Sequence, residues 1–318
     1  MTDPLYSIFV AGEHLVSPNF ELVCNQRDRP EWEAARRTGV GASESAAVLG
    51  VSPWGSALSV YAEKLGLAPD FVDNEAMRWG RILEPIVVDE AALEIGGSSA
   101  TYVMSGDMLR SKHHPFMLAT LDAWIVRGAE TLPLEVKVSS RAGDWDNGAP
   151  PHYRAQVQHQ LAVTGAPRGY IAGLLGGTRL VWEEVERDPD FIDNHLIPAL
   201  ADFWGRVTDQ IPPAADGSKA SAAALKALYP KDTGEEIALP GHLIDLDIER
   251  QVIKEASKRN ADRLAEIDNE IKQALGSASV GRLASGVSYT YRFSERREYV
   301  VAASSGRTLR RSGAKGEK

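Results

Sequence analysis

Ala119-Thr120-Leu121-Asp122-Ala123-Trp124 and, a few residues on, Leu134-Glu135-Val136-Lys137-Val138 are the two stretches that decide the fold. Each is an apolar run of strand length interrupted by charge. Side chains two apart on a strand share a face, so Glu135 and Lys137 project together while Leu134, Val136 and Val138 turn to the core. A carboxylate and an ammonium inside an apolar strand are costly to bury unless they are paired or ligate a metal. Asp122 ends the neighbouring strand and reaches the same point. A Glu-x-Lys alone is explained as well by a cross-strand salt bridge on a solvated face; with Asp122 upstream and the residues below, a site becomes the better reading. Two converging carboxylates suit a hard cation such as Mg²⁺. Such an ion acidifies a water and offsets charge on a phosphoester, and Lys137 would orient that water or neutralise the transition state.

Outward from this pair, 116–126 and 131–138 read as two strands joined by the turn Arg127-Gly128-Ala129-Glu130. Residues 151–164 read as a helix that starts after Pro150-Pro151. Strands follow at 168–175 and 178–186 around Gly176-Gly177, then a helix at 189–210 that ends before Pro212-Pro213. Upstream, 31–66 reads as helical pieces broken at Gly50-Val51-Ser52-Pro53. A helix at 76–95, bent at Pro85, puts Met77, Gly80, Glu84, Val87 and Ala91 on one face. Glu84 then points inward beside the space left by Gly80, although a half-exposed helix carboxylate is the plainer reading of that residue alone. Gln156 sits in Ala155-Gln156-Val157-Gln158-His159-Gln160, which by itself suggests a polar helix face. The stretch 212–240 is rich in Pro, Ala, Gly, Ser and Lys and reads as a linker or irregular cover. A long charged helix is expected at 245–275, with a narrow apolar seam from Ile248 to Leu275. A hairpin is expected at 287–303, where Val287, Tyr289, Tyr291 and Phe293 alternate, followed by a basic tail.

The chain has 318 residues, 43% hydrophobic and 25% charged, enough for one α/β core with an appended piece. One cysteine, Cys24, excludes a disulfide framework or a cysteine-rich metal site and fits a reducing cytoplasm. Met1 to Val10 carries no basic n-region and no long apolar run, so no signal peptide is read; no stretch has the length of a membrane span. The net charge of −9 argues against a protein that coats nucleic acid, whereas a groove that threads it needs only a local basic patch.

Taken in order, Trp32 to Ser43 (WEAARRTGVGAS), Trp79-Gly80-Arg81-Ile82-Leu83-Glu84, Thr120-Leu121-Asp122, Glu135-Val136-Lys137 and Tyr153 to Gln158 (YRAQVQ) resemble the lambda exonuclease and YqaJ-like viral recombinase family of the PD-(D/E)XK nuclease superfamily. The resemblance covers roughly residues 30–210. It implies a restriction-endonuclease-like α/β core, a central mixed sheet flanked by helices, over 1–215. Residues 216–318 would form an extension of linker, long helix and basic hairpin. It implies that Asp122 and Glu135 are metal ligands together with the backbone carbonyl of Val136, that Lys137 is the catalytic lysine, and that Glu84 and Gln156 support them. Two Mg²⁺ ions are implied, with Mn²⁺ as a substitute. Arg36 and Ser43 match the pair that holds a 5′-terminal phosphate. Arginine offers phosphate a two-pronged fork and Ser43 opens an expected helix, where anions are favoured; Arg37 is the alternative to Arg36. The family often has Pro-Asp-Gly where this chain has Leu121-Asp122-Ala123.

The implied activity is metal-dependent 5′ to 3′ digestion of double-stranded DNA ends, leaving 3′ single strands for recombination by annealing. A cytoplasmic homo-oligomer, trimeric by resemblance, and a single-strand annealing protein as partner are also implied. A structure- or site-specific endonuclease with the same core and a non-catalytic end-binding protein are the alternatives. His113 and His114 precede the Asp122 strand without metal-ligand spacing. Trp54, Trp79, Trp124 and Trp145 read as core or cover, with Trp145, in the loop 141–147, the best placed of the four to touch DNA. Residues 291–318 carry eight basic and three acidic residues, which suits a phosphate backbone, a partner or a solvated tail equally.

Overall fold

The computed structural model describes residues 17–68, 74–97, 101–127, 130–140, 142–295 and 306–311. The chain divides into two compact units, Met1–Pro230 and Lys231–Lys318.

In the first unit the elements are β1 (Phe20–Asn25), α1 (Arg29–Arg36), β2 (Val40–Gly41), α2 (Ser45–Val48), α3 (Ala57–Lys64), α4 (Glu75–Gly96), β3 (Thr101–Met104), β4 (Asp107–Ser111), β5 (Met117–Thr120), β6 (Ala123–Arg127), β7 (Glu130–Ser139), α5 (Pro151–Thr164), β8 (Arg168–Leu175), β9 (Arg179–Glu186), α6 (Pro189–Phe191), α7 (Ile197–Thr208) and α8 (Lys219–Leu228). A five-stranded mixed sheet runs in the order β3-β6-β7-β8-β9. Within it β7 and β8 are parallel and the other pairs antiparallel. Parallel neighbours need a crossover, and α5 supplies it. A smaller sheet runs β1-β4-β5-β2.

Residues 116–126, expected as one strand, are two. β5 belongs to the small sheet and β6 to the large one. The break falls at Leu121-Asp122, whose carbonyls accept from the N–H groups of Gly106 and Ser105. Leu121 packs into a core built with α3, α7 and Val163 of α5, while Ala123 packs into a second core under the large sheet with α4 and α5. Asp122 therefore stands at the seam between two cores. The turn expected at 127–130 includes residues 128 and 129, which lie outside the described residues.

α5 starts on Pro151 and stops at Gly165, which is left-handed at φ 75°, the usual asymmetry of helix ends. It is buried from Ala155 to Leu161, glutamines included. α4 begins with the Asn74 side chain accepting from the Met77 N–H, and buries Val87, Val88, Ala91, Ala92 and Ile95. Its first half departs from expectation: Met77 and Trp79 are exposed. The segment expected as linker contains α8, which joins the core through Ala224; its Ser221 hydroxyl donates to Ser56.

The second unit holds α9 (Leu243–Leu275), a 33-residue helix with no buried residue. It also holds a hairpin of β10 (Val280–Arg282) and β11 (Ser288–Thr290). The expected hairpin at 287–303 is thus displaced: β11 pairs backward with β10, and 296–305 lie outside the described residues. In the basic tail, Arg311 pairs with Asp247. None of the described helices is long and apolar enough to cross a membrane.

Candidate active site

β7 and α5 place the charged groups. Along β7 the register brings Glu135 inward, 2% exposed. Its Oε1 accepts from Gln156 Nε2 at 2.6 Å and from Lys137 Nζ, and its Oε2 accepts from Gln160 Nε2 at 2.6 Å. Gln156 and Gln160 are one turn apart on α5 and so reach the same carboxylate. The Val136 N–H donates to Asp122 Oδ2 at 2.8 Å, which ties the sheet-switch residue to the Glu-x-Lys strand. Lys137 Nζ also lies 5.4 Å from the centre of the Tyr153 ring.

These carboxyl groups crowd one another. Burial, and then the charge of Glu135, hold the Asp122 carboxyl well above its ordinary range, with Lys137 opposing. Glu84 is raised the same way, by burial and by Glu135, with Lys137 and Arg81 opposing. Burial alone would pull Lys137 down, but Glu135 and Asp122 drive it the other way, so it stays protonated. The expected quartet of Glu84, Asp122, Glu135 and Lys137, with Gln156, is thus brought within mutual electrostatic reach. Among the described residues no three His, Cys, Asp or Glu side chains close into a ready cage. The donor set nevertheless fits a hard divalent cation: crowded carboxylate oxygens whose charges disfavour one another. Asp122 and Glu135 would hold it, with the Val136 carbonyl on the adjoining residue.

A pocket lies beside this cluster, lined by Trp32, Arg36, Ser43, Thr120 and Gln156 among others. Arg36 is fixed in it from several sides. Its guanidinium stacks over Trp32 at 4.8 Å and binds Glu44 Oε1 at 2.6 Å. Glu44, 5% exposed, also accepts from Lys64 Nζ and the Gly41 N–H, and Lys64 in turn donates to the Arg36 carbonyl. Burial pushes the Glu44 carboxyl up, but Lys64 and Arg36 outweigh it and hold it below its ordinary value. Two cations thus share one buried anion. A second carboxylate, that of Glu63, stands half in solvent 3.3 Å from Arg36, and Arg36 is the one charged side chain among the described residues that line the pocket. Ser43 lies in the first turn of the helical run 42–48, inside the 3₁₀ turn Ala42–Glu44 with Gly41 at its N-cap, and it is exposed on the pocket rim. Arg37 points elsewhere, toward Gly66.

Lys64, Glu44 and Gln160 were not singled out in the sequence. Lys64 ends an ordinary-looking helix and carried no signal. Gln160 had one, its four-residue spacing from Gln156. His113 and His114 sit on the β4–β5 turn, against Asn19 and Phe116 respectively, and contribute nothing to the carboxylate cluster. Trp145 is buried, 6% exposed, and lies so close over β8 that a Cβ on Gly173 would stand 3.0 Å from it, as the reading of it as core or cover expects. Trp54 and Trp79, expected as core or cover, are 59% and 48% exposed.

An aspartate at a sheet switch, a Glu-x-Lys on the next strand and a glutamine-bearing crossover helix, all on a mixed sheet, define a PD-(D/E)XK type of α/β fold. A model of the YqaJ-like viral recombinase domain matches residues 31–167. The YqaJ protein of Bacillus subtilis (strain 168) is 32% identical over 265 residues, 81% of each chain. The chain belongs to the YqaJ-like viral recombinase family. Protein D345L of African swine fever virus (strain Badajoz 1971 Vero-adapted) is 26% identical over 160 residues, and the match spans 44% of this chain and 46% of that one. Among solved structures, the alkaline exonuclease LHK-Exo of Laribacter hongkongensis aligns at 22% identity with a TM-score of 0.48, over 57% of this chain and 94% of that one.

Proposed function

We propose that this chain is a divalent-metal-dependent exonuclease that digests one strand of duplex DNA from a 5′-phosphorylated end, leaving a 3′ single strand for recombination by annealing. The observation that carries the reading is the shared wall of the two sites. Gln156 lines the Arg36–Ser43 pocket and also donates to Glu135, so an anion held by Arg36 lies next to the carboxylate–lysine cluster. An enzyme that cuts at internal positions has no use for a terminal-phosphate pocket adjoining its cleavage centre, which puts the endonuclease alternative second.

In this reading Arg36 and Ser43 bind the terminal phosphate, and the Glu44–Lys64 pair keeps the guanidinium from swinging away. Asp122 and Glu135 hold the cation, with Glu84 close by. When bound, Mg²⁺ supplies positive charge at the scissile phosphate and acidifies the attacking water. Lys137 orients that water and offsets the developing charge, and Gln156 and Gln160 fix the Glu135 carboxylate in one orientation. A homo-oligomer would keep the enzyme on its strand, and a single-strand annealing protein would receive the product.

The test uses linear duplexes with 5′-phosphate or 5′-hydroxyl ends, and a covalently closed plasmid, with Mg²⁺ and without. Digestion of the phosphorylated linear duplex alone, only with Mg²⁺, is expected. Arg36→Ala should shrink the preference for 5′-phosphate by about 10- to 100-fold, the worth of a hydrogen bond to a charged group, while Arg37→Ala behaves as wild type. Cutting of the closed plasmid would favour the endonuclease reading instead.

A further inference from the structure

Trp54 is a large apolar side chain held in the open beside the site. Its loop is not loose. Ser52 Oγ accepts from the Trp54 and Gly55 N–H groups at 3.2 and 3.1 Å. Ser56 then caps α3 by accepting from the Ser59 N–H, and receives the Ser221 hydroxyl of α8. The indole meets His152 edge-on at 4.8 Å and Tyr153 at 5.9 Å. His152 and Tyr153 lie on the first turn of α5, one turn before Gln156, and Tyr153 is the ring under Lys137 Nζ. An aromatic ridge therefore runs from the proposed catalytic lysine to an indole that is 59% exposed.

We infer that Trp54 is a stacking platform for one unpaired nucleobase of the DNA strand that passes Lys137. This rests on the nuclease reading of the site and adds a binding residue to it. The chemistry fits. With a net charge of −9 the protein attracts phosphate only locally, whereas stacking of a base on an indole is neutral and tolerates any sequence. If the strand that enters the site parts from its duplex partner before Lys137, the base it exposes there gains from a face to stack on. Exposed indole beside that point, on a loop pinned by three serines, supplies one.

The test measures binding rather than cleavage, by fluorescence anisotropy in EDTA, on duplexes with a single abasic nucleotide placed at each of the first five positions of either strand. Wild type should lose about 5- to 100-fold in affinity at one position, the range of one stacked base. Trp54→Ala should bind the intact end that much more weakly and show no further loss at that position; Trp54→Phe should recover most of the affinity. An abasic profile for Trp54→Ala that matches wild type, wild-type affinity in that variant, or no position sensitive in wild type overturns the inference. Wild-type digestion of the intact duplex with Mg²⁺ is scored separately: its absence sinks the nuclease reading, while the binding scan still decides Trp54.

Discussion

Glu135 has three donors on it, two of them amides, and that sets what its replacement does. Glu135→Gln keeps the size of the side chain and loses the charge that Lys137 faces, so the fold should persist while Mg²⁺-dependent cleavage falls at least about 100-fold; Lys137→Met should do the same. Circular dichroism and a labelled-duplex assay check both, and near-normal cleavage by either variant would remove the mechanism. Asp122 gives a prediction about stability. Burial and Glu135 raise its carboxyl well above the ordinary 3.8, so the folded chain keeps a proton there that the unfolded chain releases. The stability this gives is fully present below about pH 4 and is lost as pH rises through the raised value. Asp122→Asn carries no such titration and keeps an oxygen for the Val136 N–H. At pH 8 without divalent ions it should melt above wild type, at pH 4 the difference should vanish, and it should not cleave. A lower melting temperature than wild type at pH 8 contradicts this. The site's charged residues were legible because charge inside an apolar strand is costly and so conspicuous. Lys64 and Glu44 were not, because a lysine at a helix end and a glutamate in a turn look alike whether solvated or buried.

Among the elements, β7, α5, β8 and β9 were readable to within a residue or two, since Gly or Pro stands at or near an end of each. The division of 116–126 was not. Leu121-Asp122-Ala123 holds a single turn former, Asp122, with no Gly or Pro beside it, and the break comes from tertiary pairing, one half with β4 and the other with β3 and β7. β1, β3 and β4 were not read at all, and α8 was hidden by a run of Ala, Ser and Lys that suits a linker as well as a helix. α5 misled in another way. Its glutamines look like a solvated face, yet the helix is enclosed and Gln156, Gln158 and Gln160 all bond inward. α5 is thus a positioning element, and Gln160, which does not line the pocket, isolates that role. Gln160→Leu should lower kcat by about tenfold, because Glu135 loses one of its two amide anchors, and leave KM for DNA within about twofold. A change confined to KM would assign Gln160 to substrate binding instead.

For the whole chain, every proposed site residue and both cores of the sheet region lie before Lys231, while α9 buries none of its own side chains. A fragment ending at Pro230 should therefore fold and cleave short duplexes at a rate within a few-fold of the full chain. The boundary expected at residue 215, from the extent of the resemblance and the linker-like composition beyond it, is a sharper test. A fragment ending there lacks α8. Ala224 leaves the core, Ser56 loses the Ser221 hydroxyl, and α3 loses the cover that α8 gives it. Uncovering a few apolar side chains costs on the order of 2–5 kcal/mol, a large share of the stability of a domain this size. The 1–215 fragment should thus unfold at clearly lower urea than 1–230, and the loop that carries Trp54, pinned through Ser56, should loosen with it. Equal urea midpoints for the two fragments would mean that α8 is decoration and that the first unit closes without it. Loss of activity in 1–230 with its fold intact would mean instead that the second unit takes part in gripping DNA, and that the active site is not complete in the first.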